Sequence, residues 1–313
     1  MVPILWVVIP CYNEEQVLPE TKHRLEGIMH EIIKKNKIEK ESKVIFINDG
    51  SKDKTWTLIE RFHEENSLFS GICLSRNFGH QNALLSGLMK AKDSADICIS
   101  MDADLQDDIG VIEKFVDAYL EGYDVVYGVR SNRNSDSFLK KFTAQKFYRF
   151  MAFLGVELVY NHADCRLLSK RALESLSQYD EVNLFLRGMI PQLGYHATQV
   201  TYVREKRYAG KSKYPFSKMC KFAFEGITSF SIKPVRLITI TGMGILLTCM
   251  ILFVYFLVQH FTGNTVSGWT STIMSIWTLG SLQLISIGII GEYIGKTYLE
   301  TKHRPKYIIE KII

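Results

Sequence analysis

The chain has no close pairing of cysteines. Its six (Cys11, Cys73, Cys98, Cys165, Cys220 and Cys249) are scattered, with no CxxC and no adjacent Cys/His pair. That excludes a zinc site of the usual spacing and a disulfide framework, and predicts reduced, mostly buried thiols. GxSxG and HExxH are absent, which removes the serine-hydrolase elbow and the zinc-protease helix. Gly210, Lys211 and Ser212 resemble the end of a phosphate-binding P-loop, but Glu205 stands where its first glycine belongs. Internal repeats and low-complexity tracts are also missing. The opening MVPILWVVIP lacks a basic leader, so it reads as a first strand and predicts that the bulk of the protein stays in the cytoplasm.

What is present is a division of character. Of 313 residues, 47% are hydrophobic, and the net charge of +5 is concentrated between Arg204 and Arg236 and again from Lys296 onward. This asymmetry points to a membrane surface or to phosphates rather than to nucleic acid. Ile238 to Val258 carries no charge over about 21 residues, roughly 30 Å of helix, which matches a bilayer core. Thr270 to Gly291 is a second uncharged run, and the connection between the two holds no Lys or Arg. The expectation is a two-helix transmembrane hairpin with both ends cytoplasmic, by the positive-inside rule. Two buried helices of a soluble core are the alternative. Tyr214 to Ile232, which mixes four phenylalanines with Lys218 and Lys221, fits an interfacial helix. Gly291 and Gly295 form a GxxxG suited to helix packing, and a homo-oligomer through these helices is one consequence.

Residues 1–210 alternate β-type runs (ILWVVIP, KVIFIND, SGICLS, DICISMD, YDVVYG) with helical patterns at Glu15–Lys35, Thr55–Asn66, Gln81–Lys90 and Val111–Glu121. This predicts an α/β domain on a largely parallel sheet. The expected organisation is therefore this cytoplasmic domain at 1–210, a juxtamembrane region at 211–235, the hairpin at 236–291 and a cytoplasmic tail at 292–313. Ligands of such sheets gather beyond the carboxyl ends of the strands. There the sequence places Asn48–Asp49, Asp102–Ala103–Asp104 with Gln106, and Arg130. Two aspartates one residue apart, with hard oxygens, suit Mg²⁺ or Mn²⁺ carrying phosphate, although an exposed acidic loop has the same composition. An aspartyl-nucleophile phosphatase also begins with DxD, but Gln106 stands where it typically has Thr or Val. Asp107 and Asp108 are expected to cap the next helix.

Seven stretches then occur in order: VVIPCYNEE, INDGSKDKT, LSRNFGHQNALLSGL, MDADLQDD, VVYGVR, ADCRLLSK and RYAGKSKY. Followed by a hairpin, this series resembles glycosyltransferase family 2, and within it the polyprenyl-phosphate glycosyltransferases, namely the dolichol-phosphate mannose synthases and bacterial bactoprenol glucosyltransferases. The resemblance implies a GT-A fold, a nucleotide-sugar donor, a divalent metal (Mg²⁺ or Mn²⁺), inversion at the anomeric carbon and a polyprenyl phosphate acceptor. It implies that Pro10, Tyr12, Glu14, Asp49, Asp102 and Ala103 hold the nucleotide, and that Asp104 and Gln106 face the metal. Arg130, Arg207 and Lys213 would grip the phosphates. Asp164 matches the position of a catalytic base, with Asp104 and Arg130 as its catalytic companions. A phosphate monoester loses its second proton near pH 6, so Asp164 has an alternative role in orienting acceptor or sugar. Arg166 is placed to pair with it. UDP-glucose or UDP-N-acetylglucosamine is the preferred donor; GDP-mannose, a UDP-aminoarabinose derivative, and a nucleotide-sugar sensor without transfer stay open. A processive synthase would carry further spans and a QxxRW motif, both missing here.

Overall fold

Apolar residues on both sides of each strand decide the architecture. A computed structural model describes residues 2–130, 162–181, 184–203 and 269–313, with single positions between 235 and 251. Strands β1 (Leu5–Cys11), β2 (Lys43–Asn48), β3 (Phe69–Leu74) and β4 (Ile97–Ser100) are parallel, in the spatial order β3-β2-β1-β4. Leu5, Val7, Ile9, Val44 and Phe46 belong to one core cluster, and Trp6, Val8, Ile45 and Ile47 to the other. Successive side chains point to opposite faces, so a run without polar alternation needs helices on both.

Helices α1 (Leu18–Lys34), α2 (Thr55–Glu65) and α4 (Val111–Leu120) contribute to the first cluster, whereas α3 (His80–Lys92), α5 (Lys170–Leu176) and α6 (Leu186–Gln192) contribute to the second. All four helical patterns in the first 121 residues are thus borne out, each within a few residues. Cys11, Cys73, Cys98 and Cys165 are buried thiols outside any disulfide, as expected.

Beyond β4 the sheet changes direction. Strand β6 (His162–Ser169) runs antiparallel to both β4 and β5 (Val125–Arg130), and β7 (Ala197–Tyr202) pairs parallel with β5. The first residues of β6 therefore lie at the edge where β1 to β5 end. The far edge is closed by β8 (Ile309–Ile312), antiparallel to β3. Ile313 exchanges backbone hydrogen bonds with Gly71 at 2.9 and 3.1 Å, and Lys311 reaches Glu60 at 2.7 Å. The basic segment expected as a tail thus ends as the eighth strand, which covers a strand edge that would otherwise be open.

Helix α7 (Trp269–Thr301) precedes β8 and contains the second expected span. Among the described residues no helix is long and apolar enough to cross a membrane. The first expected span and the Tyr214–Ile232 segment lie outside the described residues, apart from single positions.

Candidate active site

The ends of β1 and β2 are laced into one rim. Asn13, at φ +54°, donates its backbone N–H to Ser51 Oγ (3.0 Å), while its Oδ1 accepts from Lys52 N (2.9 Å). Glu14 N donates to Thr55 Oγ1 at 3.0 Å. Pro10 is buried within β1, and Tyr12 stands beyond it, 37% exposed. Asp49 is 2% exposed, with Oδ1 taking Phe78 N at 2.7 Å and Oδ2 taking Gly79 N at 3.0 Å. Burial pushes its carboxyl upward, and these two donors only partly oppose the shift. Asp49 thus builds the β3–α3 loop as well as standing at the β2 end.

After β4, the DADLQDD turn distributes its carboxylates. Asp102 faces the cleft with about a third of its side chain exposed, at 31%. Asp104 is more enclosed, and its Oδ1 accepts Gln106 N at 3.2 Å in an Asx turn. Ala103 is buried, its carbonyl holding Thr21 Oγ1 at 3.0 Å. Leu105 is buried at φ +56°, a left-handed conformation unfavourable for leucine by about 1–2 kcal/mol. Strain of this kind is typical of functional turns.

The expected helix caps are corrected here. Helix α4 starts at Val111 with Gly110 as its N-cap residue and no side-chain cap. Asp107 is buried and accepts the Tyr202 hydroxyl at 2.5 Å, tying the turn to β7; Asp108 takes only Gly110 N, at 2.9 Å. A strand absent from the sequence reading competed for the Asp107 carboxylate.

Asp164, near the start of β6, is the most heavily paired acid of the site. Its Oδ1 accepts from Arg166 (2.7 Å) and from Arg187 Nε (2.9 Å), and its Oδ2 from Arg187 Nη2 (2.6 Å). Ser100 Oγ donates to its backbone carbonyl at 2.7 Å, which locks β6 to the end of β4. Burial works to raise the Asp164 pKa, but Arg187 above all, then Arg166 and His80, hold the carboxyl well below the usual range. Asp102 differs: burial lifts it to about 6, with Asp164, Asp107 and Asp104 adding repulsion and His80 opposing.

His80 opens α3 and places Nε2 3.6 Å from Asp102 Oδ1; that nitrogen is buried and has no hydrogen-bond partner among the described residues. His80, Asp102 and Asp164 offer ligand atoms all within 4.8 Å of one another. Sequence reasoning quoted His80 inside LSRNFGHQNALLSGL without giving it a role, and missed Arg187. The available signal was a lone cation in the apolar run LFLRGMI. Of the other expected residues, Arg130 ends β5 but its side chain is outside the described residues, as are Arg207 and Lys213.

The geometry is an acidic edge at the carboxyl ends of parallel strands, crossed by the buried Arg166 and the half-buried Arg187. Residues 6–177 match the family model described as Glycosyl transferase family 2. An uncharacterized glycosyltransferase, YkoT of Bacillus subtilis strain 168, is 50% identical, covering 98% of this chain and 91% of its own. The bactoprenol glucosyl transferase of Shigella phage SfV is 38% identical over 97% of both chains. Among solved structures, glucosyl-3-phosphoglycerate synthase of Mycobacterium tuberculosis superposes with a TM-score of 0.49 at 17% identity, covering 73% of this chain and 79% of that one. On the family match and on relatives that span nearly its whole length, the chain belongs to glycosyltransferase family 2 and is a glycosyltransferase.

Proposed function

We propose that the enzyme transfers one sugar, glucose or N-acetylglucosamine, from a UDP-sugar to undecaprenyl phosphate at the cytoplasmic leaflet, with inversion. The observation that carries this reading is near full-length similarity to a bactoprenol glucosyl transferase, joined to a carboxylate-rich edge of the kind a nucleotide diphosphate with a cation would need. Tyr12, Glu14 and Asp49 line the nucleotide side, with Pro10 shaping the β1 end, and Asp102 and Ala103 continue the pocket. Arg130, Arg207 and Lys213 are the proposed phosphate-binding cations.

Mg²⁺ or Mn²⁺ belongs to the reading, and the residues fit it. The orphaned His80 Nε2 and the partly exposed Asp102 combine an imidazole nitrogen with a carboxylate; burial chiefly raises that carboxyl's pKa, and the lesser part that comes from neighbouring carboxylates is charge that a cation would relieve. His80 and Asp102 would hold the ion, beside the expected pair Asp104 and Gln106 in the same turn, where Asp104 Oδ1 already accepts Gln106 N. Such a cation supplies neutralisation of the departing diphosphate. Asp164 has both oxygens engaged by guanidinium groups, which suits an anionic positioning group better than a ligand or a base. The acceptor phosphate, already largely dianionic at neutral pH, attacks the anomeric carbon through one oxygen; that carbon's bond to the diphosphate oxygen breaks, and the nucleoside diphosphate leaves. No proton needs to reach Asp164.

The same reading anchors the protein by two spans, near 238–258 and 270–291, with both termini cytoplasmic. Supporting it are the charge-free sequence runs and the exposed Ile276, Leu284, Ile285, Ile287 and Ile294 on α7, side chains suited to lipid contact. The test is a panel of labelled UDP-glucose, UDP-N-acetylglucosamine, GDP-mannose and UDP-aminoarabinose, each with undecaprenyl phosphate and Mg²⁺ or Mn²⁺. Label should enter the organic extract from one UDP-sugar. Transfer from GDP-mannose alone would overturn the donor assignment, and none from any donor would overturn the acceptor.

A further inference from the structure

A cavity of about 360 Å³ lies between the β3–α3 loop and the segment that follows α7. Its walls bring together Arg76, Arg304 and Lys306 with the side chains of Asn77 and Asn82, over Phe78, and include no carboxylate. We infer that this cavity binds a phosphate group, carried by a lipid headgroup or free in solution. The inference goes beyond sugar transfer and does not rest on it.

Three cations around one concavity repel one another unless an anion joins them. Arg304 forms no hydrogen bond or ion pair among the described residues, so its fork is available. The Arg76 guanidinium stacks on the Phe78 ring, 4.0 Å from the centroid, which fixes the plane of its donors before any ligand arrives. Lys306 is steadied by donating to the Tyr179 carbonyl at 2.7 Å. Asp180, Glu181 and Glu300 act on Lys306 electrostatically but are not among the lining residues. Guanidinium groups match the tetrahedral oxygens of phosphate, and Asn82 Nδ2, which donates one N–H to the Phe78 carbonyl at 2.9 Å, has a second to offer. Asp49 acts on Arg76 electrostatically, but its oxygens are taken by the N–H groups of Phe78 and Gly79 and it does not line the cavity. Arg304 follows the end of α7 at Thr301 by three positions, so the cavity sits where a helix with exposed apolar side chains meets the sheet domain. That place gives a lipid headgroup access.

The test uses the full chain in non-ionic detergent, with UDP and Mn²⁺ saturating so that the proposed donor site cannot take up the probe. Thermal unfolding is followed against inorganic phosphate, short-chain phosphatidic acid and short-chain phosphatidylcholine. A saturable rise in Tm with phosphatidic acid or phosphate is expected, and Arg76→Gln with Arg304→Gln should weaken apparent affinity at least about tenfold, as loss of charge-assisted bonds implies. Preference for phosphatidic acid identifies a headgroup; equal response to phosphate identifies a free anion. No saturable rise with either, or equal affinity in the double variant, overturns the inference. Should the double variant fail to fold, the exposed Arg304→Gln alone reads the same titration. Absence of any UDP effect would count against the donor reading and leave the phosphate titration interpretable.

Discussion

Replacing Asp164 by Asn removes a charge that faces two arginines at once. Arg166 is 1% exposed, its Nη1 has no hydrogen-bond partner, and burial already pushes its guanidinium pKa downward against the pull of Asp164. Breaking a buried pair from one side leaves an uncompensated charge and is unfavourable by about 3–5 kcal/mol. Arg187 is 35% exposed and adds little to that figure, because solvent screens it. Asp164→Asn should therefore lower Tm by about 6–20 °C, at about 2–4 °C per kcal/mol for a domain of this size. Arg187→Gln, which keeps the Arg166–Asp164 pair, should lower it by no more than about 4 °C. In membranes kept below either transition, Asp164→Asn should lose less than about tenfold in turnover at neutral pH, whereas loss of a general base typically costs about 10²-fold or more. A Tm unchanged within 2 °C, together with a loss above a hundredfold, would refute both the stabilising pair and the positioning role. The companion variant Asp164→Leu/Arg166→Met should regain most of the stability, since an apolar pair of similar volume avoids the buried charge.

Three further outcomes follow from local geometry. Asp124→Asn breaks bonds to Ser169 Oγ (2.9 Å) and to Arg171, and should cost about 1–2 kcal/mol in urea unfolding at pH 7, discounted because Arg171 is well exposed. Arg171 chiefly holds the folded Asp124 pKa low, so this contribution is present above the unfolded pKa of about 3.9 and fades as pH falls through the folded value; the gap between wild type and variant should narrow steadily below about pH 4. Gly50→Ala forces φ +63° on alanine and brings Cβ to 2.5 Å from the Arg76 backbone, so more than about 1 kcal/mol of stability should disappear, measured as a lower Tm. Deleting residues 309–313 uncovers the β3 edge and removes the Ile313–Gly71 bonds; light scattering should show aggregation on warming that the intact chain lacks.

The five strands and four helices of the first 130 residues were legible because each is a local pattern: β-branched runs that end in turns, and apolar spacing near 3.6. Strands β6, β7 and β8 were not. Ala197–Tyr202 alternates Thr, Val and Tyr as a half-exposed strand should, yet six residues without a flanking apolar run carry little weight. Strand β8 has only four residues, and its partner, β3, lies more than 230 positions earlier, so only the assembled sheet makes it a strand.

The same distinction explains the site. A rule that looks past the carboxyl end of each strand finds Asp49 and Asp102, because in parallel βαβ units the last residue of every strand arrives at one edge. It treats Asp102 and Asp104 as a pair. In the fold Asp104 closes its own turn onto Gln106, Asp107 answers Tyr202, and His80, at the start of α3, brings its Nε2 to 3.6 Å from Asp102. Asp164 reaches that edge by the opposite route: β6 is antiparallel, so its first residues lie there, and Ser100 fixes them in place. Arg187 comes from the start of a short helix more than twenty residues later. Its charge makes sense only once Arg166 and Asp164 are side by side, since one buried carboxylate cannot balance two guanidinium groups. Asp102, Asp104 and Asp107 more than make up the difference: they repel one another and Asp164 across the edge, so the balance that the residues leave open is one for a cation, while the two guanidinium groups keep Asp164 anionic within it.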